Sequence, residues 1–192
     1  MLKRIMLVLF LIMFNNICAQ DNVELKKMYE EDQKAREEEK INWKELTKQD
    51  SIRRCLVKDM IKQNMLSTSN DYYHAAMVFQ HGKDSTSYKL AWDYSLKASM
   101  MDTANTNARW LSAASYDRYL ISKGKPQVYG TQFIILDKKY YLQDIDTTKV
   151  TDIERKYYGT RTIEEIKEYL TKQNGENKGL LIFPKSKKII VK

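Results

Sequence analysis

Residues that interrupt regular backbone structure are scarce in this sequence: its 192 residues include 2 prolines and 6 glycines. Their scarcity favours helices, and we predict a mainly α fold (α+β) with a small amount of sheet. The sequence has no glycine-rich phosphate-binding loop, which excludes the common nucleotide-binding motifs. The two histidines, His74 and His81, have no cysteine or Glu-x-x-His spacing beside them, so we expect no metal site and no cofactor.

The first 19 residues, MLKRIMLVLFLIMFNNICA, have the pattern of an export signal. Lys3 and Arg4 precede an apolar run from Ile5 to Phe14, and small and polar residues follow it. This run is shorter than the roughly 20 residues that a membrane-spanning helix needs. We predict cleavage near Ala19, a mature chain in the periplasm or outside the cell, and no stable membrane insertion; an uncleaved membrane anchor is the alternative.

Cysteine is equally scarce, with 2 residues. Lipoprotein processing at Cys18 would require a small residue where Ile17 stands, so we expect Cys18 to leave with the signal. Cys55 then remains alone, and no internal disulfide can form. Its position in an apolar helical pattern predicts a small buried side chain rather than a nucleophile. The other apolar members of that pattern are Ile52, Leu56, Met60 and Ile61.

Composition predicts a single domain over residues 20–192, because 43% hydrophobic and 11% aromatic residues suffice for one core and the chain is short for two. Apolar residues at helical spacing predict five helices before residue 124. TQFIILDKKYYLQDI then predicts a β-hairpin at about residues 131–145. Two more helices follow, the first capped by Thr151 and the second by a Thr162–Glu165 capping box. KGLLIFPKSKKIIVK predicts a terminal hairpin at about residues 179–191.

Two of the predicted helices weakly resemble each other: AAMVFQHG at 75–82 and AASYDRYLISKG at 113–124. Ala91 and Ala98 lie in the helix between them, and small residues at such positions let helical hairpins pack closely. This pattern is typical of tetratricopeptide and Sel1-like repeats. Because such solenoids need about three repeats to be stable, we interpret it as local packing of helical hairpins, with a peptide-binding solenoid as the alternative.

Asp117 lies on a helix face that is otherwise apolar, at spacings of three and four residues from its neighbours there. Removing a carboxylate from water without a partner is costly. We therefore expect Asp117 to pair with Arg118, Arg36 or a tyrosine hydroxyl. A buried ion pair that only stabilises the fold and a catalytic role both explain this position. The other residues of that face are Trp110, Ala114 and Ile121.

Two shorter motifs add further polar residues. In EEDQKAREE, Asp32 and Arg36 are four residues apart on one helix face, with Gln33 beside them. A surface ion pair explains this spacing as well as a binding site does. Gln80 and His81 end a helix just before a glycine, where a histidine commonly caps the negative helix end or packs as a neutral ring.

The stretch GKPQVYGTQF, residues 124–133, contains more hydrogen-bonding side chains than a turn requires. Gly124 and Pro126 end the preceding helix, and Gly130 permits an unusual backbone conformation or a close approach. The hydrogen-bonding side chains that a turn does not need are Gln127, Tyr129 and Gln132.

In this order, MYEEDQKAR, AAMVFQHG, YDRYL and GKPQVYGTQF resemble the motifs of an uncharacterised family of bacterial proteins, many of them exported. The family pattern is Asp-Gln-x-x-Arg, Gln-His, Asp-Arg and Gly-x-Pro-Gln-x-Tyr-Gly-Thr-Gln, and it covers about residues 28–158. The resemblance implies no particular reaction. The matching positions are Asp32, Gln33, Arg36, Gln80, His81, Asp117, Arg118, Gly124, Pro126, Gln127, Tyr129, Gly130, Thr131 and Gln132.

We predict that these motifs meet in one polar pocket between the helices and the hairpin, which binds a polar ligand or a protein partner. The sequence leaves two alternatives open. One is a hydrolase-like enzyme with His81 and Asp117 as catalytic residues and an arginine as anion clamp. The other is an interaction domain whose polar cluster is purely structural. The predicted ligand-binding residues are Asp32, Gln33, Arg36, Gln80, His81, Asp117, Arg118, Gln127, Tyr129 and Gln132.

Nucleic acid is not an expected partner, although the chain has a net charge of +8. Loss of Lys3 and Arg4 with the signal would leave 31 basic residues, two fewer than the 33 of the whole chain, against 25 acidic ones. This surplus is modest, and the acidic and basic residues are interspersed rather than separated into a basic face.

Overall fold

The computed structural model describes residues 20–175 and 179–183. This part contains seven helices and one two-stranded antiparallel sheet, so the predicted mainly helical fold with a small β-hairpin is confirmed. The predicted signal segment, residues 1–19, and most of the predicted terminal hairpin lie outside the described residues. The elements are α1 (Val23–Glu37), α2 (Trp43–Lys62), α3 (Ser69–Gln80), α4 (Ser85–Met101), α5 (Thr106–Ser122), β1 (Phe133–Leu136), β2 (Lys139–Leu142), α6 (Asp152–Tyr157) and α7 (Ile163–Asn174).

Threonine caps begin the two late helices where the sequence predicts them. Thr151 and Glu154 form a reciprocal capping box at α6, and Thr162 and Glu165 form another at α7. In each box the threonine hydroxyl accepts a hydrogen bond from the glutamate backbone N–H, and the carboxylate accepts one from the threonine N–H. These bonds satisfy backbone donors that have no partner within the helix.

Small side chains let the central helices approach one another. Helix α4 packs against both α3 and α5. Ala91 and Ala98 of α4 are fully buried, as the predicted packing of helical hairpins requires. Leu25, Val57 and Phe79 bring α1, α2 and α3 into the same hydrophobic core cluster. The first five helices therefore form one continuous packed unit.

The β-hairpin packs on the last helix. Leu142 of β2 is buried in one hydrophobic cluster with Ile166 and Leu170 of α7. Asn174 strengthens this contact, because its side chain donates to the carbonyl of Tyr140 at 3.0 Å and accepts from the N–H of Tyr140 at 2.8 Å. Residues 181–183 pair with β2 through a parallel bridge at Leu142.

The buried face of α2 differs from the predicted one. Ile52 and Leu56 are 43% and 44% exposed, and Cys55 is exposed, so the prediction of a buried Cys55 is wrong. The face that turns inward instead carries Asp50 and Arg53, together with Leu46, Val57 and Met60. Charged partners on α1 hold these two polar residues inside, and the resulting rotation of α2 leaves part of the apolar stripe outside.

Asp117 is fully buried, and its partners are not the predicted ones. Its Oδ1 accepts hydrogen bonds from the N–H groups of Val128 at 2.8 Å and Tyr129 at 3.0 Å. Its Oδ2 accepts from the N–H of Thr131 at 3.0 Å and from the hydroxyl of Thr131 at 2.8 Å. Burial raises the pKa of Asp117, and these four hydrogen bonds oppose that rise. The expected pairing with Arg118, Arg36 or a tyrosine hydroxyl is therefore wrong.

The rest of the turn is equally constrained. Gln127 is fully buried, and its amide donates to the carbonyls of Gln132 at 3.0 Å and Gln143 at 2.9 Å. Its Oε1 accepts from the N–H of Gln132 at 2.9 Å. Gly130 has φ +81°, and a Cβ there would lie 2.5 Å from Cδ1 of Ile166. A side chain at this position would thus be strained and would collide with α7.

We expect Asp117→Asn to lower the free energy of unfolding by about 3 kcal/mol, because the new amide would point a donor at backbone donors inside the core. Thr131→Val is the matched control: it removes the hydroxyl that donates to one oxygen of Asp117 and accepts from the Gln132 amide, so we expect a loss of about 1 to 2 kcal/mol. Urea unfolding of both variants measures this difference. Equal losses in the two variants would contradict the role assigned to the carboxylate.

Candidate functional site

Four charged side chains from α1 and α2 form a compact network. Arg36 donates from Nη1 to Asp32 Oδ1 at 3.0 Å and from Nη2 to Asp50 Oδ2 at 2.8 Å. Nη1 of Arg53 lies 3.4 Å from one oxygen of each carboxylate. Gln33 donates to Asp32 Oδ2 at 2.8 Å. Two carboxylates thus face two guanidinium groups, and the network is balanced in charge.

His81 lies beside this network at the end of α3. Its Nε2 lies 3.3 Å from Asp32 Oδ2, but the two groups are not aligned for a hydrogen bond. Nε2 is buried and has no other hydrogen-bond partner among the described residues. Burial and the neighbouring charge of Arg36 lower the pKa of His81 to about 4. Burial raises the pKa of Asp32 to about 6, which Arg36 opposes. At pH 7 the imidazole is therefore neutral and the carboxylate is ionised.

Two arginines, rather than His81, cap the end of α3. Arg54 donates to the carbonyl of His81 at 3.3 Å, and Arg118 donates to the carbonyl of Gln80 at 3.1 Å. A neutral imidazole offers no positive charge to the negative helix end, whereas the guanidinium groups do. The predicted capping role therefore belongs to residues from α2 and α5.

Arg118 connects this region to the turn that Asp117 organises. Its Nε donates to Oε1 of Gln132 at 3.1 Å, and the Gln132 amide contacts the hydroxyl of Thr131 at 2.8 Å. The side chain of Gln80 is buried and accepts from the hydroxyl of Ser115 at 2.9 Å. The turn therefore positions Arg118 through Gln132, without contacting the charge network itself.

These side chains border a cleft of about 400 Å³. Gly82 allows the start of α4 to approach this cleft closely, because a Cβ at Gly82 would lie only 2.1 Å from Cβ of Ser87. The volume is within the range of small-molecule sites. The residues that line the cleft are Arg36, Trp43, Thr47, Asp50, Gln80, His81, Gly82, Lys83 and Arg118.

Of the ten predicted site residues, four line the cleft, three support residues that line it, and three lie in the turn or at a different cleft. Asp32 and Gln33 support the cleft through the charge network, and Gln132 supports it through Arg118. Asp117 and Gln127 hold the turn together and do not line the cleft. Tyr129 lines a different cleft, of about 470 Å³, and packs edge-on against Tyr158. Four of the predicted residues line the cleft directly: Arg36, Gln80, His81 and Arg118.

Sequence reasoning missed part of this site. Asp50 and Arg53 are three residues apart on α2, which is an ion-pair spacing. The apolar stripe of that helix, however, predicted that a different face would be buried. Trp43, Thr47 and Lys83 are common surface residue types, and no motif singled them out.

A larger cleft, of about 570 Å³, was also not predicted, and it lies elsewhere in the fold. It borders Trp110 and the Gly130–Thr131 end of the turn, and α7 contributes Glu165 and Tyr169 to it. Because its residues come from separate parts of the chain, no local sequence pattern marks it.

Comparison with protein-family models, with curated proteins and with solved structures gives no match. Within residues 20–175 and 179–183, no helix is both long and apolar enough to cross a membrane. The same described ranges contain no group of three or more His, Cys, Asp or Glu side chains placed to hold a metal ion.

The charge of the cleft is not balanced once the network is accounted for. Arg118 donates only to neutral oxygens, those of Gln132 and Gln80, and none of the described residues accepts a hydrogen bond from its Nη2. Lys83 also lines the cleft and makes no ion pair in the described part of the chain. Burial lowers the pKa of Arg118, yet arginine stays protonated near neutral pH. The cleft thus presents two cations without a carboxylate partner.

The opposite pKa shifts of His81 and Asp32 predict opposite effects of acidification. The folded-state pKa of His81 lies below its ordinary value of 6.5, so the unfolded chain takes up this proton first and stability falls as the pH drops from 6.5 to 5. The folded-state pKa of Asp32 lies above its ordinary value of 3.8, so the folded chain takes up the proton first and stability rises over the same interval.

When the pH is lowered from 6.5 to 5, we expect the unfolding free energy of His81→Gln to rise by on the order of 1 kcal/mol relative to that of the wild type. Asp32→Asn should lose a similar amount over the same interval. Urea unfolding at the two pH values measures both differences, and His74 contributes equally to all three proteins. Parallel pH dependence in the three proteins would contradict the assigned protonation states.

Proposed function

We propose that this chain is an exported bacterial protein whose cleft between α1, α2, α5 and the end of α3 binds a small anionic ligand. Arg118 carries the proposal: its guanidinium lines the cleft, and its Nη2 has no acceptor among the described residues. The pattern of residues 1–19 supports export, and the motif resemblance supports the bacterial family. The motif residues predict a polar ligand, and the unpaired cations of the cleft indicate that this ligand is an anion.

Electrostatics favours an anion at this position. A buried or half-buried guanidinium without a carboxylate partner attracts an acid group, since charge-assisted hydrogen bonds are stronger than neutral ones. Lys83 adds a second positive charge at the same cleft. The Asp32 and Asp50 carboxylates do not cancel this charge, because Arg36 and Arg53 already neutralise them. The neutral imidazole of His81 adds a hydrogen-bonding group without adding charge.

Isothermal titration of the protein with acetate and with inorganic phosphate tests this proposal. We expect at least one of these probes to bind at millimolar concentration, and Arg118→Gln to weaken that binding by about tenfold or more, since a hydrogen bond to a charged group contributes about 1.5 to 3 kcal/mol. Lys123→Gln is the matched control: it removes one positive charge from the C-cap of the same helix, at an exposed position outside the cleft.

Arg118→Lys, which keeps the charge but loses the planar fork, should give intermediate affinity. Absence of binding by both probes to the folded wild type would contradict the proposal and leave the polar cluster as a structural network. Equal weakening by Arg118→Gln and Lys123→Gln would show only a general effect of net charge.

A hydrolase-like activity is the second candidate, and the contact between His81 and Asp32 favours it. His81 Nε2 lies 3.3 Å from Asp32 Oδ2, so a small rotation of the ring gives a carboxylate–imidazole pair beside the cationic side chains. In this arrangement Asp32 replaces Asp117, because the turn occupies both oxygens of Asp117. A pKa of about 4 makes the imidazole available but weakly basic.

p-Nitrophenyl acetate and p-nitrophenyl phosphate are suitable probes of this activity. If the pair acts as a general base, we expect a hydrolysis rate above background that rises with pH near the pKa of His81 and falls by about 100-fold in His81→Gln. Tyr129→Phe, at the separate cleft of about 470 Å³, serves as a control and should retain the rate. A rate unchanged in His81→Gln would exclude this candidate.

A further inference from the structure

Trp43 is the most exposed aromatic residue at the anion cleft. It is 66% exposed, begins α2, and stacks on none of the aromatic rings in the described residues. Asn42 caps this helix by accepting a hydrogen bond from the N–H of Glu45 at 3.2 Å, which fixes the backbone on which the indole stands. The indole of Trp43 therefore gives the cleft a flat, apolar surface, and the capped start of α2 holds its backbone in place.

Thr47 lies one helical turn after Trp43, so both side chains are on the same face of α2 and both line the cleft. The Thr47 hydroxyl makes no side-chain hydrogen bond in the part of the chain that the structure describes. This wall thus combines a stacking surface with a free hydroxyl, while α5 supplies the cation Arg118 and the loop between α3 and α4 supplies Lys83.

We propose that the ligand is a small aromatic acid, whose ring packs on Trp43 and whose acid group binds Arg118 and Lys83. This inference rests on the proposed anion-binding function and specifies its ligand class. Aromatic rings pack favourably on one another through their faces and edges, and burying the indole removes apolar area from water. A cleft of about 400 Å³ accommodates one ring and one acid group but is small for a dinucleotide.

The test compares each simple anion with its phenyl counterpart: acetate with benzoate, and inorganic phosphate with phenyl phosphate. Titration calorimetry gives the affinities for the wild type, Trp43→Leu and the control Trp110→Leu, which replaces the other exposed tryptophan. We expect the phenyl compound to bind about tenfold more tightly than its simple counterpart. Trp43→Leu should remove this advantage without changing the affinity for the simple anion, and Trp110→Leu should change neither.

The possible outcomes separate the two proposals. Equal affinity of the wild type for benzoate and acetate, and for phenyl phosphate and phosphate, would overturn the aromatic-acid inference while the anion site stands. Binding of none of the four compounds would overturn the anion site itself. A phenyl advantage that persists in Trp43→Leu would place the ring elsewhere and overturn the inference. Preference for benzoate over phenyl phosphate, or the reverse, identifies the acid group as a carboxylate or a phosphate.

Discussion

The rest of the structure depends on the hydrogen bonds between the buried carboxylate of Asp117 and the turn that follows α5. This carboxylate accepts four hydrogen bonds from residues 128–131 and thereby fixes the turn, which joins the five-helix unit to the β-hairpin and α7. A charged group is tolerated there because backbone N–H groups replace its lost water. The turn then places Gln132 against Arg118, so the carboxylate positions the cleft without taking part in it.

The cleft combines a neutral charge network with two unbalanced cations. Pairing Asp32 and Asp50 with Arg36 and Arg53 keeps four charged groups inside at a balanced charge. Such buried pairs contribute little net stability, because desolvation offsets their attraction. Their effect is geometric: they bring α1 and α2 together beside His81 and leave Arg118 and Lys83 as the positive groups of the cleft. This separation of charges is the basis of the proposed binding of an acid ligand.

Most elements of the fold could be predicted because their signals are local. The capping boxes at Thr151 and Thr162, the apolar spacing of the helices and the change of period at the hairpin each act within a few residues. The burial of α2 could not be predicted in this way. Its inward face depends on Asp32 and Arg36 of another helix, and a stripe of Ile52, Cys55 and Leu56 contains no information about that partner.

The sequence by itself therefore determined the mainly helical class, the hairpin, and the presence of an unusual Asp117 and an amide-rich turn. Only the tertiary structure decided that Asp117 binds the turn, that Arg118 faces a cleft without a carboxylate partner, and that Trp43 and Lys83 share that cleft. The reason is physical. Helix periodicity and capping are set by neighbours along the chain, whereas the partner of a buried charge is whichever group the folded backbone brings within hydrogen-bonding distance.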